Sequence, residues 1–306
     1  MNTDYDVIVL GGGPAGLTAG IYLARGKHNT LILNEGAIGG QTVLTHEVAN
    51  YPGVENINGY QLARIMKKQA TDFGCKIRSN VKVTNLELSG PVKKIEINNK
   101  DTFSAKAVIL SPGGRSRELG VPGENEFKGK GISYCATCDG DFFQDKEIIV
   151  VGGGNSAIEE ADALTRYASK VTVVHQFDHF QAYEHAVRTA KENPKIEFIM
   201  ESTIAEFKGE GKLEAVTVKN LKTAELTELP IDGVFIFIGY VPNTEVFKDV
   251  ISLNNYGEIE INQNFETNIP GVFAAGDAIQ KRYRQITTAV SDGTIAALNT
   301  MEYLHD

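Results

Sequence analysis

The stretch YDVIVLGGGPAG, residues 5 to 16, decides the fold of this 306-residue chain. Its apolar run predicts a buried strand, and the pattern G-x-G-x-x-G at Gly11, Gly13 and Gly16 predicts a turn that leads into a helix. Glycines are needed there for the tight turn, for close approach of the backbone to a pyrophosphate, and for packing of the helix on the strand. The phosphates would lie on the N–H groups of the helix N-terminus. The stretch therefore predicts a dinucleotide-binding unit.

A second apolar strand, NTLILNE, follows the helix and ends in Glu35. A carboxylate at this place accepts hydrogen bonds from ribose hydroxyls in dinucleotide-binding folds. Strand, glycines, helix, strand and acid in one run favour a dinucleotide site more strongly than the glycine motif alone.

The same pattern occurs a second time. EIIVVGGGNSAIEEADALTRYASKVTVVHQ, from residue 147, aligns without a gap on DVIVLGGGPAGLTAGIYLARGKHNTLILNE, from residue 6. The glycine positions of the first unit are then taken by Gly152, Gly154 and Ala157. Gln176 falls on Glu35, so the second unit has no carboxylate where the first has one. Two such units imply two dinucleotides, and the usual pairing is a flavin with a nicotinamide.

Two Gly- and Pro-containing stretches mark crossings between domains: VILSPGGRSRELGVPG (108–123) and GVFIFIGYVPNTE (233–245). We therefore expect an α/β fold with two Rossmann-like, three-layer dinucleotide-binding domains, the second inserted in the first. Residues 1–114 and 244–306 would form the discontinuous first domain. Residues 115–243 would form the inserted domain, which carries the cysteine pair described below.

The composition excludes some classes of partner. Lys and Arg number 30 against 39 Asp and Glu, which gives a net charge of −9 and makes nucleic acid and anionic membranes poor partners. The N-terminus reads MNTDYDVIVLGGG, with acids where a signal peptide needs bases. No apolar run approaches the ~20 residues that span a bilayer. We expect a soluble, cytoplasmic protein.

The chain has three cysteines, and two of them form a C-x-x-C pair, Cys135 and Cys138. This usage fits reducing cytosol and a redox-active pair. Asp139 follows at once and is a candidate for proton transfer as the pair opens and closes. Tetrahedral zinc would need four ligands, and the sequence offers no second pair at suitable spacing, so we expect no metal site. Cys75 leads into a predicted strand and is expected to be an inert buried thiol.

Taken in chain order, the motifs resemble those of the low-molecular-weight thioredoxin reductases over essentially the whole chain. CATCDG between two dinucleotide units is highly specific for that family. The motifs that carry the resemblance are GGGPAGLTAGIYLARG, GGQ (39–41), NYPG (50–53), CATCDG (135–140), VVGGGNSAIEEA, GVFIFIGYVPNT, GVFAAGDA (271–278) and YRQITTAVSDG.

The resemblance implies that the discontinuous domain, residues 1–114 and 244–306, binds FAD and that the inserted domain, residues 115–243, is pyridine-nucleotide-like. It also implies which residues contact each cofactor. FAD would be held by Gly11, Gly13, Pro14, Gly16, Glu35, Gly40, Gln41, Asn50, Val83, Gly276, Asp277, Arg284, Gln285 and Ile286. A nicotinamide nucleotide, NADH or NADPH, would meet Gly152, Gly154, Asn155, Ser156, Ala157, His175 and Gln176. His46, just before EVANYPGV, is a further candidate for a place near the flavin.

The resemblance also implies a catalytic cycle. Cys138 would face the flavin, Cys135 would attack the disulfide of thioredoxin, and Asp139 would be the acid/base. Enzymes of this family are homodimers that rotate one domain against the other, which offers the cysteine pair alternately to the flavin and to thioredoxin.

The chain departs from that family at one place that matters for the electron donor. NADPH-dependent members carry H-R-R-x-x-x-R at the end of the second unit's second strand, and this chain has HQFDHFQ from His175. Each arginine–phosphate hydrogen bond contributes about 1.5–3 kcal/mol, so losing two or three costs about 3–6 kcal/mol, or roughly a hundred- to ten-thousand-fold in preference for the 2′-phosphate. A smaller departure is SPGG (111–114), where the family often has A-T-G.

Several donors and functions therefore remain open at this stage. NADH or weakly selective NAD(P)H fits the retained GGGNSA motif, while ferredoxin or a reduced deazaflavin fits the missing arginines. A rival function is an FAD-dependent dithiol oxidase, which resembles this family, lacks the arginines and passes its electrons to oxygen. A non-catalytic flavin-binding protein is a third hypothesis, and the intact CATCD motif argues against it.

Overall fold

The computed structural model describes residues 3–45, 48–55 and 57–305, so His46 lies outside the described residues. The strands are, in chain order, β1 (Tyr5–Leu10), β2 (Thr30–Asn34), β3 (Lys76–Ser79), β4 (Val83–Glu87), β5 (Lys93–Ile97), β6 (Asp101–Leu110), β7 (Gly114–Ser116), β8 (Ile132–Ser133), β9 (Glu147–Val151), β10 (Lys170–Val174), β11 (Ile196–Ile199), β12 (Ser202–Lys208), β13 (Ala215–Asn220), β14 (Leu226–Pro230), β15 (Gly233–Ile236), β16 (Tyr240–Pro242) and β17 (Val272–Ala274). The α-helices are α1 (Pro14–Arg25), α2 (Gly59–Asp72), α3 (Glu124–Phe127), α4 (Ala136–Asp139), α5 (Asn155–Leu164), α6 (Glu184–Glu192) and α7 (Ile286–His305). Short 3₁₀ helices occupy Gly40–Leu44, Gly140–Phe143, Glu245–Phe247 and Gly276–Ala278.

The chain divides into two compact units. Unit 1 comprises Met1–Arg115 and Val241–Asp306, and unit 2 comprises Ser116–Tyr240. The short strands β7 and β16 pair with each other where the chain passes from one unit to the other. Unit 1 is thus built from both ends of the chain.

Unit 1 is organised around a sheet of order β3–β2–β1–β6–β5–β4, with β17 also paired with β6. β1 runs parallel to β2 and β6, whereas β4 and β5 are antiparallel to their neighbours. Val7 and Val9 pack with the helices on one face, and Ile8 and Leu10 pack with β4 and β5 on the other. Burial on both faces explains why the first strand is a continuous apolar run in the sequence.

Unit 2 repeats this arrangement. Its parallel sheet has the order β11–β10–β9–β15–β8, and a separate antiparallel sheet has the order β12–β13–β14. Ile148 and Val150 pack with α5 and α6, while Ile149 and Val151 pack with the antiparallel sheet. The predicted α/β class, with two Rossmann-like three-layer units, is confirmed.

The last helix, α7, returns to the start of the chain. It packs along α1, and small buried residues on its inner face, such as Ala289 and Ala296, allow the two helices to approach closely. Within the ranges that the structure describes, no helix combines the length and the apolar character needed to cross a membrane.

Candidate functional site

The first glycine loop connects β1 to α1, and its backbone requires glycine. Gly11 has φ +114°, and a Cβ atom there would lie 2.0 Å from the carbonyl oxygen of Ser111. A Cβ on Gly16 would lie 1.9 Å from the carbonyl oxygen of Gly11. The amide of Gly11 also donates to the carbonyl of Leu33, at 2.8 Å. The loop is therefore a tight turn that leaves the first N–H groups of α1 without partners inside the helix.

Asn34, the last residue of β2, fixes this loop. Its side-chain oxygen accepts a hydrogen bond from the amide of Gly12 at 2.7 Å, and its side-chain amide donates to the carbonyls of Glu35, Gly36 and Ala37 at 2.9–3.1 Å. Glu35 itself is exposed at the end of the strand. The sequence analysis missed Asn34, although its register, one residue before the predicted ribose ligand, could have revealed it.

Other predicted FAD ligands approach the same loop from separate segments. A Cβ on Gly40 would lie 3.3 Å from the Cα of Gly13, so the two backbones run side by side. Gln41 follows in the 3₁₀ helix that begins at Gly40, and its side chain is exposed. Val83 lies at the start of β4, two residues after Val81, whose amide donates to the carbonyl of Asn34.

The C-terminal segment brings a second group of predicted ligands together. Asn50 Nδ2 donates to Gln285 Oε1 at 3.4 Å, and Gln285 immediately precedes Ile286, the first residue of α7. Arg284 Nε donates to the carbonyl oxygen of Asp277 at 3.3 Å, and its guanidinium also pairs with the carboxylate of Glu258.

Asp277 has an unsatisfied buried side-chain oxygen. Its Oδ1 is buried and makes no hydrogen bond to the residues that the structure describes. Burial raises the pKa of Asp277, an effect that the nearby charges of Lys281 and Arg284 oppose. Gly276 has φ +80°, and a Cβ there would lie 2.9 Å from Cβ of Ala15, so Asp277 follows a residue that packs on the start of α1. A hydroxyl of a dinucleotide would give this oxygen its missing donor, so the residues present fit FAD.

The second glycine loop, between β9 and α5, repeats the backbone of the first. Gly152 has φ +137°, and a Cβ there would lie 2.3 Å from the carbonyl oxygen of Phe237. Its amide donates to the carbonyl of Val174 at 3.0 Å, as the amide of Gly11 does to Leu33. Gly154 precedes the first residue of α5, and Ala157 is buried one turn later. The loop therefore has the shape that a pyrophosphate requires.

His175 occupies the position in unit 2 that Asn34 has in unit 1. Only 4% of its surface is exposed, and its ring lies against Gly153, where a Cβ would be 2.4 Å from the ring. Nε2 of His175 donates to the carbonyl oxygen of His179 at 3.1 Å, and burial lowers the pKa of His175. The histidine therefore packs beneath the loop, and the exposed Gln176 is the next side chain in the sequence.

The segment after His175 runs back along the loop. The amide of Gln181 donates to the carbonyl of Gly153 at 2.8 Å, and the amide of Tyr183 donates to Oδ1 of Asn155 at 2.7 Å. Ser156 is exposed in the first turn of α5.

The exposed rim of this segment is aromatic and acidic. The ring of Phe177 stacks on that of His179, and Asp178 Oδ1 pairs with Nδ1 of His179 at 2.7 Å. Of these exposed residues, Phe177 stands at an arginine position of the H-R-R-x-x-x-R pattern, whereas Asp178 and His179 fall between the arginine positions.

The cysteine pair forms a disulfide. Cys135 and Cys138 are bonded, with Cα atoms 5.3 Å apart at the two ends of one turn that includes α4. Ser133 Oγ donates to Asp139 Oδ2 at 2.5 Å and accepts from the amide of Cys135 at 3.1 Å. One hydroxyl thus ties the carboxylate of Asp139 to the backbone of the first cysteine. No cluster of three or more His, Cys, Asp or Glu with metal-binding geometry occurs in the described ranges.

A buried carboxylate anchors the residue that precedes the pair. Glu124 is 1% exposed and accepts hydrogen bonds from the amides of Leu119 and Gly120, at 2.9 and 2.6 Å, and from the hydroxyl of Tyr134 at 2.7 Å. Burial, followed by the hydrogen bond to Glu124 and the charge of that carboxylate, raises the pKa of Tyr134. The sequence analysis did not identify this anchor.

Cys75 is buried and unpaired, as expected, and it directly precedes β3. Burial raises the pKa of its thiol to about 12. The thiol is therefore protonated and inert at neutral pH.

Comparison with known proteins extends these observations. The family model described as pyridine nucleotide-disulphide oxidoreductase matches residues 5–293. A thioredoxin reductase of Peptoclostridium acidaminophilum is 45% identical and is matched over 99% of this chain and 98% of its own length. A 34.2 kDa protein in the rubredoxin operon of Clostridium pasteurianum is 46% identical and is matched over 98% of this chain and 97% of its own length. The crystal structure of thioredoxin reductase from Streptococcus pyogenes MGAS5005 superposes with a TM-score of 0.94 at 41% identity and covers 98% of both chains.

Proposed function

Because the chain belongs to the pyridine nucleotide-disulphide oxidoreductase family, we propose that this enzyme is an FAD-dependent thioredoxin-disulfide reductase. The observation that carries the proposal is the Cys135–Cys138 disulfide, which lies in the same unit as the second glycine loop. A pair that closes and opens within one turn can take up two electrons and pass them on by thiol–disulfide exchange.

Residues 1–114 and 244–306 are proposed to bind FAD, and residues 115–243 to form the pyridine-nucleotide-like domain. The glycine loop at Gly11, the exposed carboxylate of Glu35 and the unmatched oxygen of Asp277 support the FAD site. Bound FAD would supply the two-electron exchange between a donor and the disulfide. The protein would contribute binding, orientation and the acid/base group.

The reduced pair would act on thioredoxin in two steps. The Cys135 thiolate attacks one sulfur of the thioredoxin disulfide, which forms a mixed disulfide and releases one thioredoxin thiolate. The Cys138 thiolate then attacks the sulfur of Cys135, which restores the Cys135–Cys138 disulfide and releases the second thiolate. Asp139 would shuttle a proton between the pair and a departing thiolate, and its bond to Ser133 Oγ holds it beside the cysteine segment.

For the donor, we propose NADH or weakly selective NAD(P)H. The second glycine loop supports a nicotinamide nucleotide because its backbone repeats that of the first. Preference for NADPH is disfavoured because Gln176, Phe177 and Gln181 offer no cation to a 2′-phosphate, and the exposed Asp178 adds a negative charge nearby.

A second candidate is the same reductase fed by ferredoxin or a reduced deazaflavin. Unit 2 lacks both the arginines and a carboxylate at the strand end, and this absence favours the second candidate. The uncharged Gln176 offers neither a cation to a 2′-phosphate nor a carboxylate to a ribose hydroxyl. The two candidates differ in their electron donor and share their disulfide chemistry.

The donor is tested by anaerobic reduction of the bound flavin, followed by absorbance, with NADH, NADPH, reduced ferredoxin and reduced deazaflavin in turn. Rapid bleaching by NADH, alone or with NADPH, is expected. Bleaching by ferredoxin or deazaflavin alone would transfer the proposal to the second candidate, and fast reduction by NADPH in preference to NADH would contradict the argument from the arginines.

The disulfide chemistry is tested with Cys138→Ser. This variant should keep FAD and lose thioredoxin reduction, because the mixed disulfide on Cys135 has no resolving thiol. Cys75→Ser is the matched control, since Cys75 is buried and unpaired, and it should reduce thioredoxin at the original rate. Full thioredoxin reduction by Cys138→Ser would exclude the mechanism.

We also propose a cytoplasmic homodimer. Exposed apolar side chains on two helices of unit 1 support an interface there: Tyr60 and Ile65 on α2, and Ile295 and Leu298 on α7. Light scattering on the purified protein should give twice the mass of the chain. A monomer at micromolar concentration would contradict this assignment.

A further inference from the structure

A lysine near the predicted FAD site has no role in the chemistry proposed above. The Nζ atom of Lys281 is 3.8 Å from Oδ1 of Asp277. That distance allows strong attraction between the charges but is too long for a hydrogen bond. The positive charge of Lys281 therefore stabilises the Asp277 carboxylate, while Oδ1 of Asp277 can still accept a hydrogen bond from a ligand hydroxyl.

Asp292 holds Lys281 at this distance. Its Oδ2 pairs with Nζ of Lys281 at 2.5 Å and also accepts from the amide of Gly276 at 3.2 Å. Both side chains of the Lys281–Asp292 pair are only 12% exposed. Because Gly276 directly precedes Asp277, one carboxylate on α7 fixes both the lysine and the backbone that carries Asp277.

The cluster is built against the start of α1. The Cβ of Ala15 lies 2.9 Å from where a Cβ on Gly276 would stand, and the carbonyl oxygen of Ala15 lies 2.1 Å from where a Cβ on Gly293 would stand. The residue before Asp277 and the residue after Asp292 thus both touch the first turn of α1, at the helix N-terminus that a pyrophosphate would occupy.

The charges that face Asp277 are few and unequal. They are Lys281 and Arg284, which are positive, and Asp292, which is negative, while Glu258 is paired with Arg284. Residues 14–20 of α1 (PAGLTAG) and β17 carry no titratable side chain. Without Lys281, the carboxylates of Asp277 and Asp292 would have only the guanidinium of Arg284 as a nearby positive charge, and Asp277 would take up a proton more readily.

We propose that Lys281 is a positioning residue for FAD. Anchored by Asp292, it keeps the Asp277 carboxylate charged and directed at a cofactor hydroxyl. It thereby determines how tightly FAD binds and how much of that affinity remains at acidic pH. The inference rests on the proposed function only in taking FAD as the ligand. A charged carboxylate accepts a stronger hydrogen bond than a neutral acid, which is why the charge matters for affinity.

The test measures FAD affinity directly. Protein stripped of FAD is titrated with FAD from about pH 8 to about pH 6, and binding is followed by quenching of flavin fluorescence. Lys281→Met should weaken FAD binding about tenfold at neutral pH. The loss should grow as the pH falls, because Asp277 takes up its proton at a higher pH once the lysine charge is removed. Lys281→Arg keeps the charge and should restore most of the affinity. Lys100→Met, which removes an exposed lysine, is the control with the same change of net charge.

A double-mutant cycle separates positioning from general damage. If Lys281 acts through Asp277, then Lys281→Met should have no further effect in an Asp277→Asn background. Unchanged affinity in Lys281→Met, or an equal loss with and without Asp277, would overturn the inference. Failure of the proposed function looks different, because a chain that binds no FAD, or that binds FAD and does not reduce thioredoxin, fails already without substitution.

Discussion

The two glycine loops have the same backbone and different strand ends. Gly11 and Gly152 both have positive φ, and both would clash with a carbonyl oxygen if they carried a Cβ. The amide of each donates to a carbonyl near the end of the second strand of its unit, that of Leu33 or Val174. At the strand end, however, unit 1 has Asn34 followed by an exposed carboxylate, while unit 2 has a buried histidine followed by Gln176.

Pyrophosphate binding by the glycine loop and nucleotide selectivity at the strand end are therefore separable. The glycines determine where a pyrophosphate can lie, and they do so through sterics that hold for any dinucleotide. The strand end determines which ribose is accepted, through one or two exposed side chains. A unit can therefore keep its glycine loop while its nucleotide preference changes.

The largest expected effect comes from closing each cradle in turn. Gly11→Ala places a methyl group against the carbonyl of Ser111 and should lower FAD affinity about a hundredfold. Gly152→Ala should keep FAD and abolish flavin reduction by a nicotinamide donor. FAD content per chain and anaerobic flavin bleaching are the measurements.

Gly90→Ala is the control for this pair of variants, because Gly90 also has positive φ, +83°, but has open space around its Cβ position and lies in neither glycine loop. Circular dichroism on all three variants separates a lost site from a lost fold. Full FAD binding by Gly11→Ala would show that the first loop tolerates a side chain and would contradict the steric role given to its glycines.

Restoring arginines should change the nucleotide preference of unit 2. The triple variant Gln176→Arg, Phe177→Arg and Gln181→Arg should raise the ratio of kcat/KM for NADPH over NADH about a hundredfold, from new hydrogen bonds to the 2′-phosphate. Gln181 contributes its backbone amide to the loop, so the substitution leaves that bond in place. An unchanged ratio would mean that the strand end does not read the nucleotide.

Exchanging the strand-end residues tests their role in nucleotide selectivity, with smaller expected effects. Glu35→Gln should weaken FAD binding about tenfold, because a charged hydrogen bond to a ribose hydroxyl becomes a neutral one. Gln176→Glu should improve NADH use by a comparable factor. If Glu35→Gln binds FAD as tightly as before, the exposed carboxylate of unit 1 is not a ligand.

The smallest effect concerns the buried residues at the strand ends. Folding lowers the pKa of His175 below its usual 6.5 through burial, so the unfolded chain takes up a proton that the folded chain refuses. The free energy of unfolding should therefore fall as the pH drops below about 6.5. His175→Asn, which copies Asn34, removes this contribution. Denaturation midpoints at neutral and mildly acidic pH should differ less in the variant than in the original chain.

Much of this architecture follows from local sequence. The apolar runs of β1 and β9 and the glycines after them can be interpreted directly, because the backbone conformation at Gly11 and Gly152 admits almost no other residue. The C-x-x-C spacing likewise brings two sulfurs within bonding range without help from the rest of the fold.

The contacts that complete the sites could not be predicted in this way. Asp292 reaches the amide of Gly276 only because α7 folds back on α1, and Glu124 reaches Tyr134 and two backbone amides across a loop. His175 shows a related limit, since its sequence position suggested a nucleotide contact and its burial depends on how the following segment folds over Gly153. Such contacts depend on tertiary packing, which no spacing rule encodes.

Because Cys75 is buried, a count of reactive thiols in the native protein reports the redox state of the Cys135–Cys138 pair alone. With a pKa of about 12, its thiolate fraction near pH 8 is only about one in ten thousand. A thiol-specific colour reagent applied to the native protein should therefore count no thiol in the oxidised enzyme and two in the reduced one. Each sample would report its own redox state by simple spectrophotometry, with the third cysteine silent until the chain is denatured.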